Sequence, residues 1–233
     1  MLQTTQAVLS TFSTISGTYE RANHALTFGL DRYWRWRAAR RALRPDVATC
    51  LDVCTGTGEM ATGLHRAGRG RVAVTAVDFC EPMIREAAKK FKGCGIVFQL
   101  ANAAQLPFPD GHFDLLTIAF ALRNLNVTRQ NLDACLTEFR RVLRNGGRLI
   151  AVETTQPPRP AVRRLLHGYV RHCVPRVGAW LSGSPPAYAY LSSTIPRFYS
   201  APELAGIMRA AGFAQVRHEY LSFGLVAIHE AVN

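Results

Sequence analysis

A short glycine turn between two regular stretches constrains the fold of this chain more than any other feature. The apolar run at residues 47–53 leads into a turn at residues 54–58, and a helix-compatible run follows from Glu59. Gly56 and Gly58 let the backbone turn sharply and let a ligand approach without a Cβ in the way. In an open parallel sheet such a turn lies at the carboxyl end of the first strand, where these folds bind ligands. The stretch therefore predicts an α/β fold with a ligand site at this turn.

A carboxylate at a fixed distance from this turn narrows the choice of ligand. A second apolar run, residues 72–77, ends at Asp78, which comes 20 positions after Gly58. At about this spacing an acidic residue after the second strand accepts hydrogen bonds from the hydroxyl groups of a ribose. Two nucleoside cofactors meet that requirement, a dinucleotide and S-adenosylmethionine.

The chemistry of the turn separates these two cofactors. It lacks the G-x-G-x-x-G pattern of dinucleotide sites and carries a carboxylate at each end, Asp52 and Glu59. Carboxylates repel a pyrophosphate but suit the ammonium group of an amino-acid cofactor, directly or through water. The residues therefore favour S-adenosylmethionine, with Cys54, Gly56 and Gly58 in its binding loop.

The net charge of the 233 residues limits the classes of molecule that are expected as binding partners. The formal net charge is +12 and the pI is about 10.0, which fits a nucleic acid, an anionic membrane surface or an anionic substrate. Nearly all of the positive charge comes from arginine, and a genome-wide composition bias would also produce such an excess. No basic stripe interleaved with aromatic residues is visible, so a nucleic-acid partner is not expected.

Cysteine and leader patterns indicate a cytoplasmic protein without a bound metal. The six cysteines form no C-x-x-C pair and no histidine cluster accompanies them, so no zinc site is expected and a reducing compartment is favoured. Residues 1–19 show no signal peptide. Residues 177–196 carry no charge, but glycine and proline interrupt them, so they are not expected to span a membrane.

Alternating strand and helix patterns predict a doubly wound sheet within a single domain, residues 1–233. Strands are predicted at residues 48–53, 72–77, 96–100, 113–120 and 149–153, with closing strands at residues 215–220 and 225–231. Helices are predicted at residues 6–43, 59–67, 81–91, 128–143, 157–176 and 200–211, a turn at residues 145–147 and a loop-rich stretch at residues 178–193. The domain divides into an N-terminal helical cover (1–45), a cofactor-binding core (46–154), a helical lid (155–200) and a closing helix with strands (201–233).

Two polar residues follow predicted strands at the ligand-binding edge. Asn102 comes after the third strand, where its amide can bond the adenine edge, although asparagine also favours turns. Arg123 comes directly after the fourth strand, where a charged side chain is unusual. Farther on, the basic amphipathic stretch at residues 157–176 fits either a solvated lid or a helix lying on an anionic membrane surface.

Four stretches from Thr18 onward carry motifs that occur together in one enzyme family. They are the Tyr19-x-x-x-Asn23 pattern with Trp34, the loop at residues 52–59, the central motifs at residues 101–109 and 121–124, and the run at residues 141–153. With these motifs the chain resembles the ubiquinone/menaquinone-biosynthesis C-methyltransferases. The resemblance implies an α/β, Rossmann-like class I methyltransferase fold that uses S-adenosylmethionine. It also implies a seven-stranded sheet with an antiparallel last strand, N-terminal helices and a helical lid.

The same resemblance implies an activity and roles for single residues. The activity is C-methylation of a reduced, prenylated quinone, either 2-demethylmenaquinol or the benzoquinol of ubiquinone synthesis. The cofactor site would be lined by Gly56, Thr57, Asp78, Asn102, Ala103 and Ala119. The resemblance places Arg123 and Asn124 near the acceptor. Since a guanidinium stays protonated in proteins and cannot be the base, we expect Arg123 to stabilise the phenolate. His24 or the lid tyrosine Tyr190 would supply the base, and no metal is required.

Alternatives to this activity stay open from the sequence. Asp31 stands where the family usually has histidine, so the acceptor could be another small molecule that is methylated at oxygen, nitrogen or carbon. An RNA methyltransferase and a non-catalytic cofactor-binding module are less favoured. The expected partners are the prenylated quinol, an anionic membrane surface at the inner face of the membrane and, in an oligomeric state that the sequence leaves open, a second copy in a homodimer.

Overall fold

The computed structural model describes residues 13–233, in which seven strands form a single sheet. The strands are β1 (Thr49–Val53), β2 (Ala73–Asp78), β3 (Val97–Leu100), β4 (Phe113–Ala119), β5 (Leu143–Thr154), β6 (Gln215–Leu221) and β7 (Val226–Val232). Their order across the sheet is β3-β2-β1-β4-β5-β7-β6.

The strand directions confirm the expected topology. β3, β2, β1, β4 and β5 pair in parallel, whereas β7 pairs antiparallel with both β5 and β6. The strand order reverses beside β1, with β2 and β3 on one side and β4 on the other. In an open α/β sheet such a reversal leaves a crevice at the carboxyl ends of the strands, where ligands bind.

Helices connect the strands and cover both faces of the sheet. They are α1 (Tyr19–Leu26), α2 (Leu30–Ala42), α3 (Glu59–Gly68), α4 (Glu81–Lys90), α5 (Leu122–Leu125), α6 (Arg129–Val142), α7 (Pro160–Ser182), α8 (Pro185–Thr194) and α9 (Ala201–Ala210). Alternate residues of a strand point to opposite faces. Cys50 and Leu115 therefore pack with α2 and α3, whereas Leu51 and Leu116 pack with α6 and α9.

The N-terminal cover and the lid share a core of their own. Leu26 of α1, Val170 of α7 and Tyr188 of α8 belong to one buried cluster whose members all come from helices. The Tyr169 hydroxyl donates to the Leu26 carbonyl oxygen at 2.7 Å. The cover and the lid are therefore packed against each other as well as against the sheet.

Ion pairs attach α2 to the edge of the sheet. Arg41 contacts Glu219 of β6 at 3.0 Å and Glu230 of β7 at 3.1 Å. The buried Arg148 of β5 also approaches Glu230, at 3.3 Å, and donates to the Ala42 carbonyl oxygen at 2.7 Å. These contacts fix the position of α2, which contributes to the cavity described below.

The prediction of a loop-rich stretch at residues 178–193 is wrong, because α7 and α8 occupy most of it. Pro185 and Pro186 stand in the first turn of α8, where a helix needs no N–H donor from them. The absence of a side chain at Gly178 allows the fully buried Tyr188 ring to pack against α7, since a Cβ at residue 178 would lie 2.1 Å from that ring. Periodicity along the chain does not reveal this contact.

Smaller differences concern the ends of elements. The turn predicted at residues 145–147 lies within the range of β5, whose pairing register with β4 shifts between Phe113 and Leu115. The one-turn helix α5 was not expected from the sequence patterns. The part of the N-terminal helix prediction that falls on residues 6–12 lies outside the described residues.

In the described part of the chain, no helix combines the length and the apolar character that crossing a membrane requires.

The contact between Gly178 and Tyr188 predicts opposite effects for two substitutions in α7. Gly178→Ala should lower the free energy of unfolding by about 1–3 kcal/mol, because the added methyl group displaces a buried ring. Gly168→Ala is the matched control, since no neighbouring atom of the described residues lies within 4 Å of its Cβ position. Its better helix propensity should raise stability by up to about 1 kcal/mol. Urea unfolding of both variants measures the difference, and equal effects would contradict the packing argument.

Candidate active site

A cavity opens at the carboxyl ends of β1, β2 and β4, beside the reversal of the strand order. Including the solvent space at its open mouth, it has a volume of about 1160 Å³. Its walls include Tyr19, Arg35, Asp52, Cys54, Gly56, Thr57, Glu59, Asp78, Asn102, Ala103, Ala119, Phe120 and Asn124.

Asp78 ties the glycine turn to the end of β2. Its carboxylate accepts hydrogen bonds from the backbone N–H groups of Gly56 at 2.8 Å and Cys80 at 2.9 Å. The turn needs a φ of +56° at Gly56, in the left-handed region that favours glycine. Burial raises the pKa of the Asp78 carboxyl, and the backbone donors oppose that rise. The backbone thus holds this carboxylate at the wall of the cavity.

Asp52 is fully buried at the end of β1. Its two carboxylate oxygens accept hydrogen bonds from the hydroxyl groups of Thr55 and Thr117, each at 2.6 Å. Burial raises the pKa of Asp52 to about 6, although the two hydroxyl groups oppose the rise. A positive charge that enters the cavity would favour the ionised form of this carboxyl.

Ionic side chains close the cavity on the side of the N-terminal cover. Arg35 of α2 pairs with Asp31 at 2.7 Å and with Glu59 at 3.2 Å. Nδ1 of His24 lies 2.8 Å from Asp31, and Nε2 of His24 lies 3.3 Å from Glu59. Both ring nitrogens of His24 therefore face carboxylates, and His24 does not line the cavity. The structure thus does not bring this predicted base to the site.

Three side chains of this region carry atoms that could meet around a metal ion. The candidate ligand atoms of Glu20, His24 and Glu59 lie within 4.8 Å of one another. Each already has a partner, since Glu20 pairs with Lys90 and the other two belong to the ion pairs above. The expectation of a site without a metal stays a prediction.

Arg123 lies beside the cavity on the side of the lid. Its Nη1 donates to the hydroxyl group of Thr194 on α8 at 2.6 Å, and its Nε has no hydrogen-bond partner among the described residues. The Arg123 Cζ atom lies 5.8 Å from the centroid of the Tyr190 ring. The Tyr190 hydroxyl donates to the side-chain oxygen of Asn124 at 3.3 Å, and Asn124 lines the cavity.

Most of the residues predicted for the site are brought together at this cavity. The predicted residues that line it are Asp52, Cys54, Gly56, Thr57, Asp78, Asn102, Ala103, Ala119 and Asn124. Gly58, His24, Arg123 and Tyr190 lie outside the lining, with Gly58 serving as the N-cap residue of α3. The Asn102 side-chain oxygen accepts the N–H of Ala104 at 3.0 Å, so Asn102 also shapes the turn after β3.

Tyr19 and Arg35 line the cavity although the sequence did not predict them as site residues. Burial raises the pKa of the Tyr19 hydroxyl, and the positive charges of Arg35 and Arg123 oppose the rise. Tyr19 opens the N-terminal family pattern, and Arg35 follows Asp31 by one helical turn. Neither signal reveals that these residues line the cavity, because that depends on where α1 and α2 pack.

The charges of the lining residues decide which nucleoside fits. Asp52, Glu59 and Asp78 supply three carboxylates, and Arg35 is the only lysine or arginine among the described lining residues. A pyrophosphate would meet repulsion from this set, whereas a sulfonium with an ammonium group would be attracted. The structure therefore fits S-adenosylmethionine better than a dinucleotide.

Comparisons with known proteins bear on the family of this chain. A model of the ubiE/COQ5 methyltransferase family matches residues 1–233. The demethylmenaquinone methyltransferase of Thermus thermophilus is 40% identical over 220 residues, covering 94% of this chain and 97% of that protein. The ubiquinone/menaquinone biosynthesis C-methyltransferase UbiE of Desulfotalea psychrophila is 36% identical over 222 residues, covering 95% of this chain and 88% of that protein.

A solved structure supports the fold independently. A SAM-dependent methyltransferase from Aquifex aeolicus superposes with a TM-score of 0.61 at 21% identity, covering 87% of this chain and 91% of that one. The family model spans the full chain, and both relatives exceed 30% identity over nearly all of it. The resemblance inferred from the motifs is thereby confirmed: the chain belongs to the ubiE/COQ5 methyltransferase family, and S-adenosylmethionine is its methyl donor.

Proposed function

We propose that this chain methylates a ring carbon of a reduced, prenylated quinone. The first candidate acceptor is 2-demethylmenaquinol, and the second is the benzoquinol of ubiquinone synthesis. The names of the two relatives support this class of acceptor. The observation that carries the proposal is the buried cation Arg123, which exposes 7% of its surface and adjoins Asn124 of the cavity wall. A cation in this position can stabilise the anionic oxygen that a quinol acquires before methylation.

The chemistry of the acceptor explains why a cation is needed. S-adenosylmethionine supplies the methyl group as an electrophile. A ring carbon of the quinol becomes a strong nucleophile when the neighbouring hydroxyl group loses its proton. Arg123 stays protonated and cannot take this proton, but its charge lowers the pKa of a phenol beside it, at about 1.4 kcal/mol for each pKa unit. We assign the proton to a water molecule that Arg123 orients.

The surroundings of Arg123 support this assignment. Thr194 accepts a hydrogen bond from Nη1, whereas the buried Nε has no partner among the described residues. A buried donor without a partner costs about 1–3 kcal/mol, so a water molecule bound at Nε would recover this cost. The carboxylate of Glu153, in β5, accepts a hydrogen bond from the backbone N–H of Arg123 at 3.3 Å. Burial raises the pKa of Glu153, and the charge of Arg123 opposes the rise.

The two side chains considered as bases fit that role less well than water does. His24 has both ring nitrogens turned toward carboxylates, Asp31 and Glu59. The Tyr190 hydroxyl donates to Asn124, and burial raises the pKa of this hydroxyl. We therefore assign Tyr190 the positioning of Asn124, and His24 the positioning of Asp31 and Glu59.

The acceptor is tested by incubating the purified protein with labelled S-adenosylmethionine and a panel of reduced acceptors. The panel contains 2-demethylmenaquinol, the demethylated benzoquinol, a catechol and RNA. A new carbon-bound methyl group on a quinol, identified by NMR, would support the proposal. A methoxy or N-methyl product would favour the alternative function, a methyltransferase acting on another small molecule, and methylation of RNA alone would contradict both.

Replacement of Arg123 should separate catalysis from donor binding. Arg123→Gln should lower kcat by about 10²- to 10³-fold, because the phenolate loses its cation, while the Kd for S-adenosylhomocysteine stays unchanged. Arg85→Gln is the matched control, since Arg85 lies exposed on α4 and pairs with Glu81 of the same helix. An unchanged kcat in Arg123→Gln would remove Arg123 from the mechanism, and a parallel loss of S-adenosylhomocysteine binding would assign it a structural role.

Asp52 should make the stability of the ligand-free protein depend on pH. Its pKa is about 6 in the folded chain against a usual value of 3.8. Protonation therefore favours the folded state, and this stabilisation is present at low pH and lost as the pH rises through about 6. From about pH 4 to about pH 7, Asp52→Asn should gain up to about 3 kcal/mol relative to the wild type. Urea unfolding at both pH values checks this, and a constant difference between the two proteins would contradict it.

Three exposed apolar residues support a membrane contact as a further part of the proposal. Phe28, Leu165 and Phe223, here named the apolar tip, expose 83%, 76% and 78% of their surfaces. The Phe28 ring centroid lies 6.4 Å from that of Tyr169, one helical turn after Leu165 on α7. A Cβ at Gly224, next to Phe223, would lie 2.6 Å from Pro158, two residues before the start of α7. Leu165 thus lies in the first half of α7, and Phe28 and Phe223 are linked to that half and to the residues before it through Tyr169 and Pro158.

Positive charge accompanies the apolar tip. Arg159, Arg163 and Arg164 are exposed at the start of α7, and no acidic residue occurs between Glu153 and Glu203. Apolar side chains among arginines suit the headgroups of anionic lipids. We propose that this surface brings the protein to the cytoplasmic face of the membrane that holds its prenylated acceptor. A homodimer stays a separate expectation, which light scattering of the purified protein would test.

Vesicle binding tests the membrane contact. The wild type should bind vesicles of anionic phospholipid and dissociate as NaCl rises from about 0.05 M to about 0.5 M, because salt screens the arginines. A variant with both Phe28→Ser and Phe223→Ser should bind more weakly. Trp180→Ser is the matched control, since Trp180 is 83% exposed near the other end of α7. A wild type that does not float with anionic vesicles at low salt would contradict the proposal, as would an equal loss in the control.

A further inference from the structure

We propose that Arg35 binds the α-carboxylate of the methyl donor. The amino-acid end of S-adenosylmethionine carries a carboxylate as well as an ammonium group, so its site needs a cation. Among the described residues that line the cavity, Arg35 is the only lysine or arginine. This inference concerns the donor and does not depend on the identity of the acceptor.

The order of the strands gives the cavity two different ends. Asn102 follows β3 and Asp78 ends β2, on one side of β1. Phe120 follows β4 on the other side of β1, and the guanidinium of Arg35 lies over its ring at 5.1 Å. A donor whose ribose lies at Asp78 therefore reaches toward Arg35 with its amino-acid end. Asp52, at the end of β1, lies between these two ends.

Arg35 is held in an orientation suited to a carboxylate. Its side chain is 12% exposed and pairs with the buried Asp31 at 2.7 Å and with Glu59 at 3.2 Å. Both of these closest approaches are made by Nη1. A guanidinium is a planar fork with five N–H donors, which allows it to bind a further carboxylate through two parallel hydrogen bonds.

The pair of Arg35 and Glu59 matches the two charges of the donor. Glu59 is the first residue of α3 and also lines the cavity. A zwitterion bound between these side chains places its carboxylate at Arg35 and its ammonium group at Glu59. Because Arg35 belongs to α2 and Glu59 to the core, the donor would also connect the N-terminal cover to the cofactor-binding core.

A pair of ligands tests the carboxylate contact directly. S-adenosylhomocysteine and its decarboxylated analogue differ by the α-carboxylate, and isothermal titration calorimetry measures both dissociation constants. The wild type should bind S-adenosylhomocysteine about 10- to 100-fold more tightly, the range expected for a charge-assisted hydrogen-bonded pair. Equal affinity of the wild type for the two ligands would overturn the proposal without any variant.

A substitution then assigns the effect to Arg35. Arg35→Met should lose the preference for S-adenosylhomocysteine and bind the decarboxylated analogue as the wild type does, whereas Arg35→Lys should keep part of the preference. Arg32→Met is the matched control, because Arg32 is an exposed residue of the same helix. If Arg35→Met leaves the buried Asp31 carboxylate too costly for folding, a variant that combines it with Asp31→Asn removes that charge.

The outcomes separate recognition from structural support. Loss of affinity for S-adenosylhomocysteine alone supports the carboxylate contact. An equal loss for both ligands means that Arg35 acts through the packing of α2, and this overturns the proposal. A failure of the protein to methylate any quinol would contradict the proposed acceptor and leave this binding result unaffected.

Discussion

The carboxylate of Asp78 makes the two hydrogen bonds on which the geometry of the site depends. It accepts the backbone N–H of Gly56 in the turn after β1 and the N–H of Cys80 after β2. Without this acceptor both N–H groups would lack their partner, at about 1–3 kcal/mol for each buried group. The same carboxylate lines the cavity, so the group that shapes both turns is also the proposed partner of the ribose.

Apolar packing and polar contacts have different roles in this protein. The sheet has a core on each face, and the cover and the lid have a third core among themselves. Polar contacts reach from the cover and the lid to the site, among them Arg35 with Glu59, Arg123 with Thr194 and Tyr190 with Asn124. Burial therefore fixes each layer, and a few charged or hydrogen-bonded pairs set how the layers meet at the cavity.

The core of the site could be predicted from the sequence because its determinants are local. Strands buried on both faces appear as continuous apolar runs, and the spacing from Gly58 to Asp78 follows from one strand-helix-strand unit. The errors concern contacts between distant segments. Gly178 accommodates Tyr188 within a helix pair that looked like a loop, and Arg35 reaches the cavity only because α2 packs over the end of β4. No local pattern contains the information on where two helices will pack.

The absence of acidic residues between Glu153 and Glu203 has a consequence for the molecule as a whole. Glu219 and Glu230 pair with Arg41 of α2, whereas the arginines of α7 have no acidic neighbour along their own helix. Residues 154–202 therefore carry a local excess of positive charge. Within a Debye length of ~8 Å from a negatively charged surface, attraction of this local charge favours orientations in which α7 faces the surface. The protein would thus be oriented with α7 toward the surface before it touches that surface.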